Sequence, residues 1–239
     1  MYSSAFCRIY NEFGWNVYPE VFAGQLLRLL ERKGITVRRA LDLGCGTGVL
    51  CRVLAGHGIE ARGVDLSEGM IAAARAAAPS LRFDTGDMVN WRSEDTFDLI
   101  TCTGDALNHI HDPDDVRRVF ENACSMLVPG GWFVFDLLGE GEIPDGEPFE
   151  LEYSRSVRAV FRTVRERGDM VLLSVRVYEN GILSFEEKIL EKLHSVDAVL
   201  ALLRESGFEL IRCGHRLSED EGADAAAWFV IAGKGSDHA

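Results

Sequence analysis

Between residues 38 and 137, short apolar runs alternate with stretches whose apolar positions recur every three to four residues. "RRALDL", "EARGVDL", "LRF", "FDLITC" and "WFVFDLL" have the length and content of strands. Residues 47–56, "SEGMIAAARAAA" with Ser67 as N-cap, and "DPDDVRRVFENACSML" have the period of helices. The early acids of the last helix suit its N-terminal dipole, and Pro129-Gly130-Gly131 is expected to end it. Strands alternating with helices predict an α/β protein with a parallel sheet covered on both faces.

Two regions leave this alternation. Residues 1–33 read as helical and are rich in aromatics at the start: Phe6, Tyr10, Phe13, Trp15 and Tyr18. Residues 150–191 switch to a period of two, with Val171, Leu173, Val175 and Val177 on one face and Leu172, Ser174, Arg176 and Tyr178 on the other. "RGD" at 167–169 and "NG" at 180–181 are turn signals. They predict a three-stranded antiparallel meander over roughly 155–166, 170–178 and 182–190, with Leu183, Phe185 and Ile189 also on the apolar face. A helix at 195–206, a strand "FELIRC", a small-residue loop from Gly222 to Ala227 and a strand "AAWFVIAG" follow.

Charge narrows the partners. The 239 residues hold 25 Lys plus Arg against 38 Asp plus Glu, a net charge of −13. Nucleic-acid binding relies on basic side chains at phosphates, so no nucleic-acid partner is expected. The balance favours small or cationic ligands. No apolar run approaches the ~20 residues of a membrane-spanning helix, and the N-terminus lacks a basic region followed by an apolar core. No membrane partner is expected. Six cysteines without a Cys-x-x-Cys pair predict reduced, mostly buried thiols in a cytoplasmic protein with no metal site.

The chemistry concentrates in "ALDLGCGTGVLC", residues 40–51. A buried strand ends there in Gly44, Gly46 and Gly48, at the carboxyl edge where open parallel sheets bind ligands. Asp65 ends the next strand, 21 residues after Gly44, where a carboxylate accepts hydrogen bonds from ribose hydroxyls. The two features predict a nucleoside cofactor. The glycine spacing is G-x-G-x-G, not the G-x-G-x-x-G of dinucleotide sites. Asp42 would repel a pyrophosphate and attract an ammonium. S-adenosylmethionine carries an ammonium, a sulfonium and a ribose, and no phosphate.

On these residues the chain resembles the class I S-adenosylmethionine-dependent methyltransferases. "LDLGCGTG" is similar to the family's first motif, "GVDLS" to its second, and "GDM" at 86–88 to the adenine-holding segment. "FDLITCTGDALNHI" and "LVPGGWFVFDL" are similar to the segments around its fourth and fifth strands. The resemblance implies a Rossmann-like seven-stranded sheet of order 3-2-1-4-5-7-6 with the last strand antiparallel. It implies that Gly44, Cys45 and Gly46 wrap the methionine part near Asp42. Asp87 would bond the adenine amino group with Met88 beside it, and Leu66, Met70, Gly86, Cys102 and Thr103 would complete the cofactor site. It divides a single domain, 1–239, into a helical lid (1–33), a cofactor-binding core (34–149), an antiparallel insertion (150–191) and the C-terminal part of the core (192–239). Related small-molecule enzymes use the N-terminal segment as a lid, so Tyr10, Trp15 and Tyr18 either close over the sulfonium or form a buried helix face.

The expected activity is methyl transfer to a small-molecule N or O acceptor. The rival readings are a non-catalytic cofactor-binding regulator or subunit on the same fold, and a nicotinamide dehydrogenase, which the glycine spacing disfavours. Displacement at a sulfonium makes no catalytic side chain obligatory. His109 either serves as base or acceptor-orienting group, or is a helix-end histidine bonded to backbone. Asp105 either attracts an amine or caps its turn. "HIHD" at 109–112 has superficial metal-ligand character, but a solvated turn is preferred. Neither the Asn/Asp-Pro-Pro-Tyr run of adenine and glutamine enzymes nor the Pro-Cys pair of cytosine enzymes is present. Arg155, Arg158, Arg162, Arg165, Arg167 and Arg176 could bind an anionic substrate; a solvated strand face pairing with acids such as Glu166 and Asp169 is preferred. The insertion is similar in placement to the antiparallel addition of small-molecule methyltransferases, including aminosugar N-methyltransferases and glycine N-methyltransferase. It has an apolar face to bury, and is expected to cover the substrate pocket, to form a homodimer contact, or both.

Overall fold

The computed structural model describes residues 2–139, the backbone of 149–152, and residues 156–217 and 227–235. Parallel strands β1 (Arg39–Leu43), β2 (Glu60–Asp65), β3 (Arg82–Thr85) and β4 (Phe97–Cys102) precede a long β5 (Leu127–Leu137). The chain closes the sheet with β10 (Phe208–Gly214) and β11 (Trp228–Lys234), and the spatial order is β10-β11-β5-β4-β1-β2-β3. β11 runs antiparallel to both neighbours. This is the expected order.

Alternate residues of the central strands enter two different cores. Leu41, Ile100, Phe133 and Phe135 face α5 (Pro113–Met126) and α6 (Val196–Glu205). Ala40, Leu99, Val134 and Phe229 face α2 (Val17–Lys33), α3 (Val49–Gly56) and α4 (Glu68–Ala77). The helix ends follow their caps. The Ser67 side chain accepts from Met70 N, Asp112 from Asp114 N, and Gly34 closes α2 in the left-handed conformation. One boundary differs from the sequence reading. α5 ends at Met126, and β5 starts at once, with Pro129-Gly130-Gly131 inside the strand. These residues absorb a register shift between Phe97 and Leu99, and Gly130 has φ 77°.

The insertion forms a separate antiparallel sheet of β6 (Phe149–Glu152), β7 (Val157–Arg165), β8 (Met170–Glu179) and β9 (Ile182–Lys192). The period-two pattern predicts three strands; β6 adds a fourth by pairing with β7 over Phe149↔Phe161 to Glu152↔Arg158. Asn180 and Gly181, both at positive φ, make the β8–β9 turn. The apolar face is covered by the chain's own N-terminus. Phe6 and Cys7 of α1 (Ser4–Ile9) join Ala159, Phe161, Val175, Val177 and Ile189 in a third core, with Met70 of α4. Leu183, expected on this face, is instead exposed near the hairpin tip.

Arg158 and Arg176 find local partners. Arg176 pairs with Glu186 at 2.8 Å, and the Arg158 guanidinium lies 4.4 Å from the Tyr178 ring centre. Asp169, expected to pair with an arginine, pairs with Lys192 at 3.6 Å. Arg155 and most of the small-residue loop, 222–226, lie outside the described residues. Among the described residues, no helix is long and apolar enough to cross a membrane.

Candidate functional site

The carboxyl ends of β1, β2 and β4 open into a cleft of about 800 Å³, roofed by the N-terminal segment and walled on one side by β9. Its floor is the glycine turn. Gly44 N and Cys45 N donate to Val64 O at 2.8 and 3.0 Å, which folds the turn over β2. Gly44 has φ 74°, and a Cβ there would sit 2.8 Å from the Ala106 Cβ. Glycine is required at this position on both counts.

Asp65 braces the turn from β2. Its Oδ2 accepts from Gly46 N and its Oδ1 from Ser67 N, each at 2.8 Å. A carboxylate has about four acceptor positions, so capacity for a diol remains toward the cleft. Asp87 is fixed likewise, accepting from Val89 N at 2.9 Å and Asn90 Nδ2 at 3.2 Å. Asp42 lies below the turn, 4% exposed, with Thr101 Oγ1 donating to its Oδ1 at 2.7 Å. Burial pushes its pKa up to about 7, only partly offset by the Thr101 bond. The carboxyl groups at the ends of adjacent strands fit a nucleoside ligand that carries positive charge and no phosphate.

The structure places Tyr10, Trp15, Tyr18, Asp42, Gly44, Cys45, Gly46, Asp65, Leu66, Met70, Gly86, Asp87, Met88, Thr103, Asp105 and His109 around this cleft. Cys102 is the exception among the residues named from sequence. It is fully buried in the core behind β4, its thiol 3.8 Å from Met88 Sδ. Because side chains alternate along a strand, Thr101 reaches Asp42 from one face while Cys102 turns into the opposite one.

The roof is tied down at several points. Tyr10 and Trp15 stack at 5.3 Å, and Trp15 meets Phe161 of the inserted sheet at 5.4 Å. Thr47 Oγ1 of the glycine turn donates to Asn11 Oδ1 at 2.8 Å. Ser3 donates to Glu187 of β9 through its backbone N at 3.1 Å and through Oγ at 2.5 Å. Tyr10 and Trp15 therefore both line the cleft and pack against the third core.

On the side away from Asp65, the loop after β4 enters a 3-10 helix, Ala106–His109. Asp105 precedes it at φ 59°, and its side chain makes no cap hydrogen bond. The capping role weighed for Asp105 is therefore absent. Burial, then the charges of Asp136 and Glu191, raise its pKa well above the usual carboxylate range. The His109 ring bonds Tyr2 OH at 3.1 Å and lies 3.9 Å from Glu191 Oε1, so it is not the backbone-bonded helix-end histidine. Burial lowers its pKa to about 4. Burial also pushes Glu191 up to about 7. His111 Nε2 lies 3.2 Å from Leu190 O, and Asp112 caps α5. None of the described insertion arginines lines the cleft.

Tyr2, Asp136, Glu187 and Glu191 belong to the site or its support without standing out in the sequence. Asp136 has a readable signal: an acid ending the apolar run "FVFDLL", as Asp42 ends "ALDL". Tyr2 and the two glutamates have none, since their roles come from contacts across the whole chain.

Residues 40–131 match the family model described as "Methyltransferase domain". A ubiquinone biosynthesis O-methyltransferase of Burkholderia orbicola is 34% identical over 108 residues, covering 42% of this chain and 44% of the relative. The chain spans about half the length of the curated relatives it matches, or less. Two solved structures align along nearly the whole chain. One is an S-adenosylmethionine-bound amino pentose methyltransferase of Micromonospora echinaspora, involved in calicheamicin biosynthesis. It has a TM-score of 0.77 at 23% identity, covering 98% of each chain. The other, DesVI of Streptomyces venezuelae, has a TM-score of 0.80 at 20% identity, covering 99% of this chain and 100% of that one.

Proposed function

We propose that this chain, whose residues 40–131 are a methyltransferase domain on the class I S-adenosylmethionine-dependent fold, methylates an amine of a small molecule. The observation that carries the reading is the acid-lined, aromatic-roofed acceptor side of the cleft: Asp105, His109 and Glu187 under Tyr2, with Glu191 behind. A cationic amine is the ligand such a site attracts.

S-adenosylmethionine supplies an electrophilic methyl group on a sulfonium. Asp65 would hold the ribose, Asp87 and Met88 the adenine, Asp42 the ammonium, and Tyr10 and Trp15 would exclude water above. The acceptor amine enters as an ammonium and must lose a proton before its lone pair can react. His109, with a pKa near 4, is too weak a base to take it at neutral pH. The imidazole orients the acceptor by hydrogen bonding. Asp105 is the base. An arriving cation favours its ionised form, so the proton that its raised pKa tends to hold passes to solvent in the cleft, and the carboxylate then takes one proton from the ammonium it attracts. Holding the nitrogen in line supplies the remainder.

The test is an acceptor screen with methyl-labelled cofactor, comparing amine and hydroxyl small molecules and identifying labelled products by mass spectrometry. Label on nitrogen, lost in Asp105→Asn, is expected. Label found on hydroxyl oxygens alone would replace this reading with an O-methyltransferase. Cofactor binding without turnover on any fraction would favour the regulator.

A further inference from the structure

Asp136, the last residue but one of β5, is fully buried and outside the lining of the cleft, yet three donors from two separate elements converge on its carboxylate. Gly104 N donates to Oδ2 and Asp105 N to Oδ1, each at 3.0 Å. Tyr18 OH, from the first turn of α2, donates to Oδ2. Burial raises the pKa of Asp136, and these three hydrogen bonds partly offset it.

The loop needs this support. Asp105 has φ 59°, a left-handed conformation that is unfavourable for a non-glycine residue. The far end of the same loop is fixed independently. Asn108, fully buried, donates to Leu138 O at 2.9 Å and Lys192 O at 2.6 Å, and accepts from Leu138 N at 3.0 Å. Asn108 thus anchors the 3-10 helix to β5 and β9, while Asp136 sets the strained entry and joins it to the roof.

We propose that Asp136 is a positioning residue that couples closure of the N-terminal roof, through Tyr18, to the placement of Asp105 at the acceptor. When the Tyr18 hydroxyl is seated, the carboxylate has all three donors and the entry of the loop is held. When the roof lifts, one of the charge-assisted bonds that orient this carboxylate is lost, and Asp105 loosens. The acceptor site is then complete only under a closed roof. The inference rests on the acceptor role given to Asp105 above.

Two variants test it, with readouts that do not all depend on turnover. Tyr18→Phe removes one hydroxyl and keeps the ring that stacks on Phe22 at 6.3 Å. Asp136→Asn keeps the shape and removes the charge. In both, cofactor affinity measured by calorimetry should stay within about threefold of wild type. Acceptor KM should rise and kcat fall, with kcat/KM down about tenfold to a hundredfold for one or two lost charge-assisted bonds. The double variant should be no worse than Asp136→Asn alone, because both act through one carboxylate. In the protein without acceptor, amide exchange at Gly104 and Asp105 should accelerate in Tyr18→Phe. Unchanged exchange there, or additive losses in the double variant, would overturn the coupling. If no acceptor is methylated by the wild type, the exchange result still decides the coupling, and the acceptor screen alone fails. If Asp136→Asn does not fold, Tyr18→Phe carries the same exchange and KM tests.

Discussion

The two halves of the cleft are built differently. The proposed cofactor half is made within residues 42–89, largely from backbone: amides of the glycine turn on Val64 O, amides of Gly46 and Ser67 on Asp65, the amide of Val89 on Asp87. The acceptor half is made from side chains brought together over long stretches of chain. Ser3 meets Glu187, Tyr18 meets Asp136, and Tyr2 meets His109. A backbone-built site tolerates little variation, because the turn conformation itself is the binding surface. A side-chain-built site can change its acceptor residue by residue while the cofactor half stays fixed. Specificity is thus free to diverge where the insertion and the roof meet.

The largest expected effect tests this separation. In Asp65→Ala, the glycine turn loses the carboxylate that orients Gly46 N and Ser67 N, and the ribose loses its acceptor. Cofactor affinity should fall by about a hundredfold, near 3 kcal/mol for two charge-assisted bonds. Acceptor KM, measured at saturating cofactor, should be nearly unchanged. A matching rise in acceptor KM would show that the halves are not separable; unchanged cofactor affinity would remove Asp65 from the site.

The same contrast explains what can be read from the chain. The strand order, the capped α4, the glycine turn and Asp65 are local features, each carried by a few adjacent residues. Residues far apart decide the rest. The fourth inserted strand depends on pairing of Phe149–Glu152 with β7, a four-residue segment too short to show a period of its own. The start of β5 at Leu127 depends on its ladder with β4, which overrides the proline and glycines that read as a helix stop. Motif position assigns Cys102 to the site, and the strand's alternation puts it in the core. Asp105 and His109 do reach the cleft, but their protonation depends on burial and, for Asp105, on Asp136 and Glu191, which no local pattern reports.

A smaller effect sharpens the electrostatics of the cofactor half. Asp42 titrates near 7 in the folded chain because burial disfavours its charge. The free folded form therefore holds a proton that the unfolded form releases above about 4. This contribution to stability is greatest below pH 4 and is lost as pH rises from 4 through 7. A cationic ligand reverses the preference and favours the ionised form. Binding below pH 7 should release up to one proton, so affinity should be about tenfold weaker at pH 6 than at pH 8. Calorimetry in two buffers of different ionisation enthalpy measures the release. Asp42→Asn should abolish it; a variant with the wild-type pH slope would assign the proton to another acid.

The smallest expected effect lies where the roof meets the insertion. Glu187 accepts from both the backbone N and the hydroxyl of Ser3, while Ser3 also caps α1 by accepting from Phe6 N. Glu187→Gln keeps the length and loses the charge, which weakens the staple by about 1 kcal/mol. Amide exchange in residues 3–9 should rise, and acceptor KM should rise about three- to fivefold, with cofactor affinity retained. Glu187 also lines the cleft, so the KM change has two possible sources. Ser3→Ala separates them by removing the hydroxyl bond of the staple, with the backbone N still bonded to Glu187, without altering the cleft wall. An equal KM change in both variants assigns the effect to the roof, and the greater exchange in Ser3→Ala then reflects the lost cap. A KM change confined to Glu187→Gln instead makes Glu187 a direct contact of the acceptor's charge, and the roof at that point only a cover.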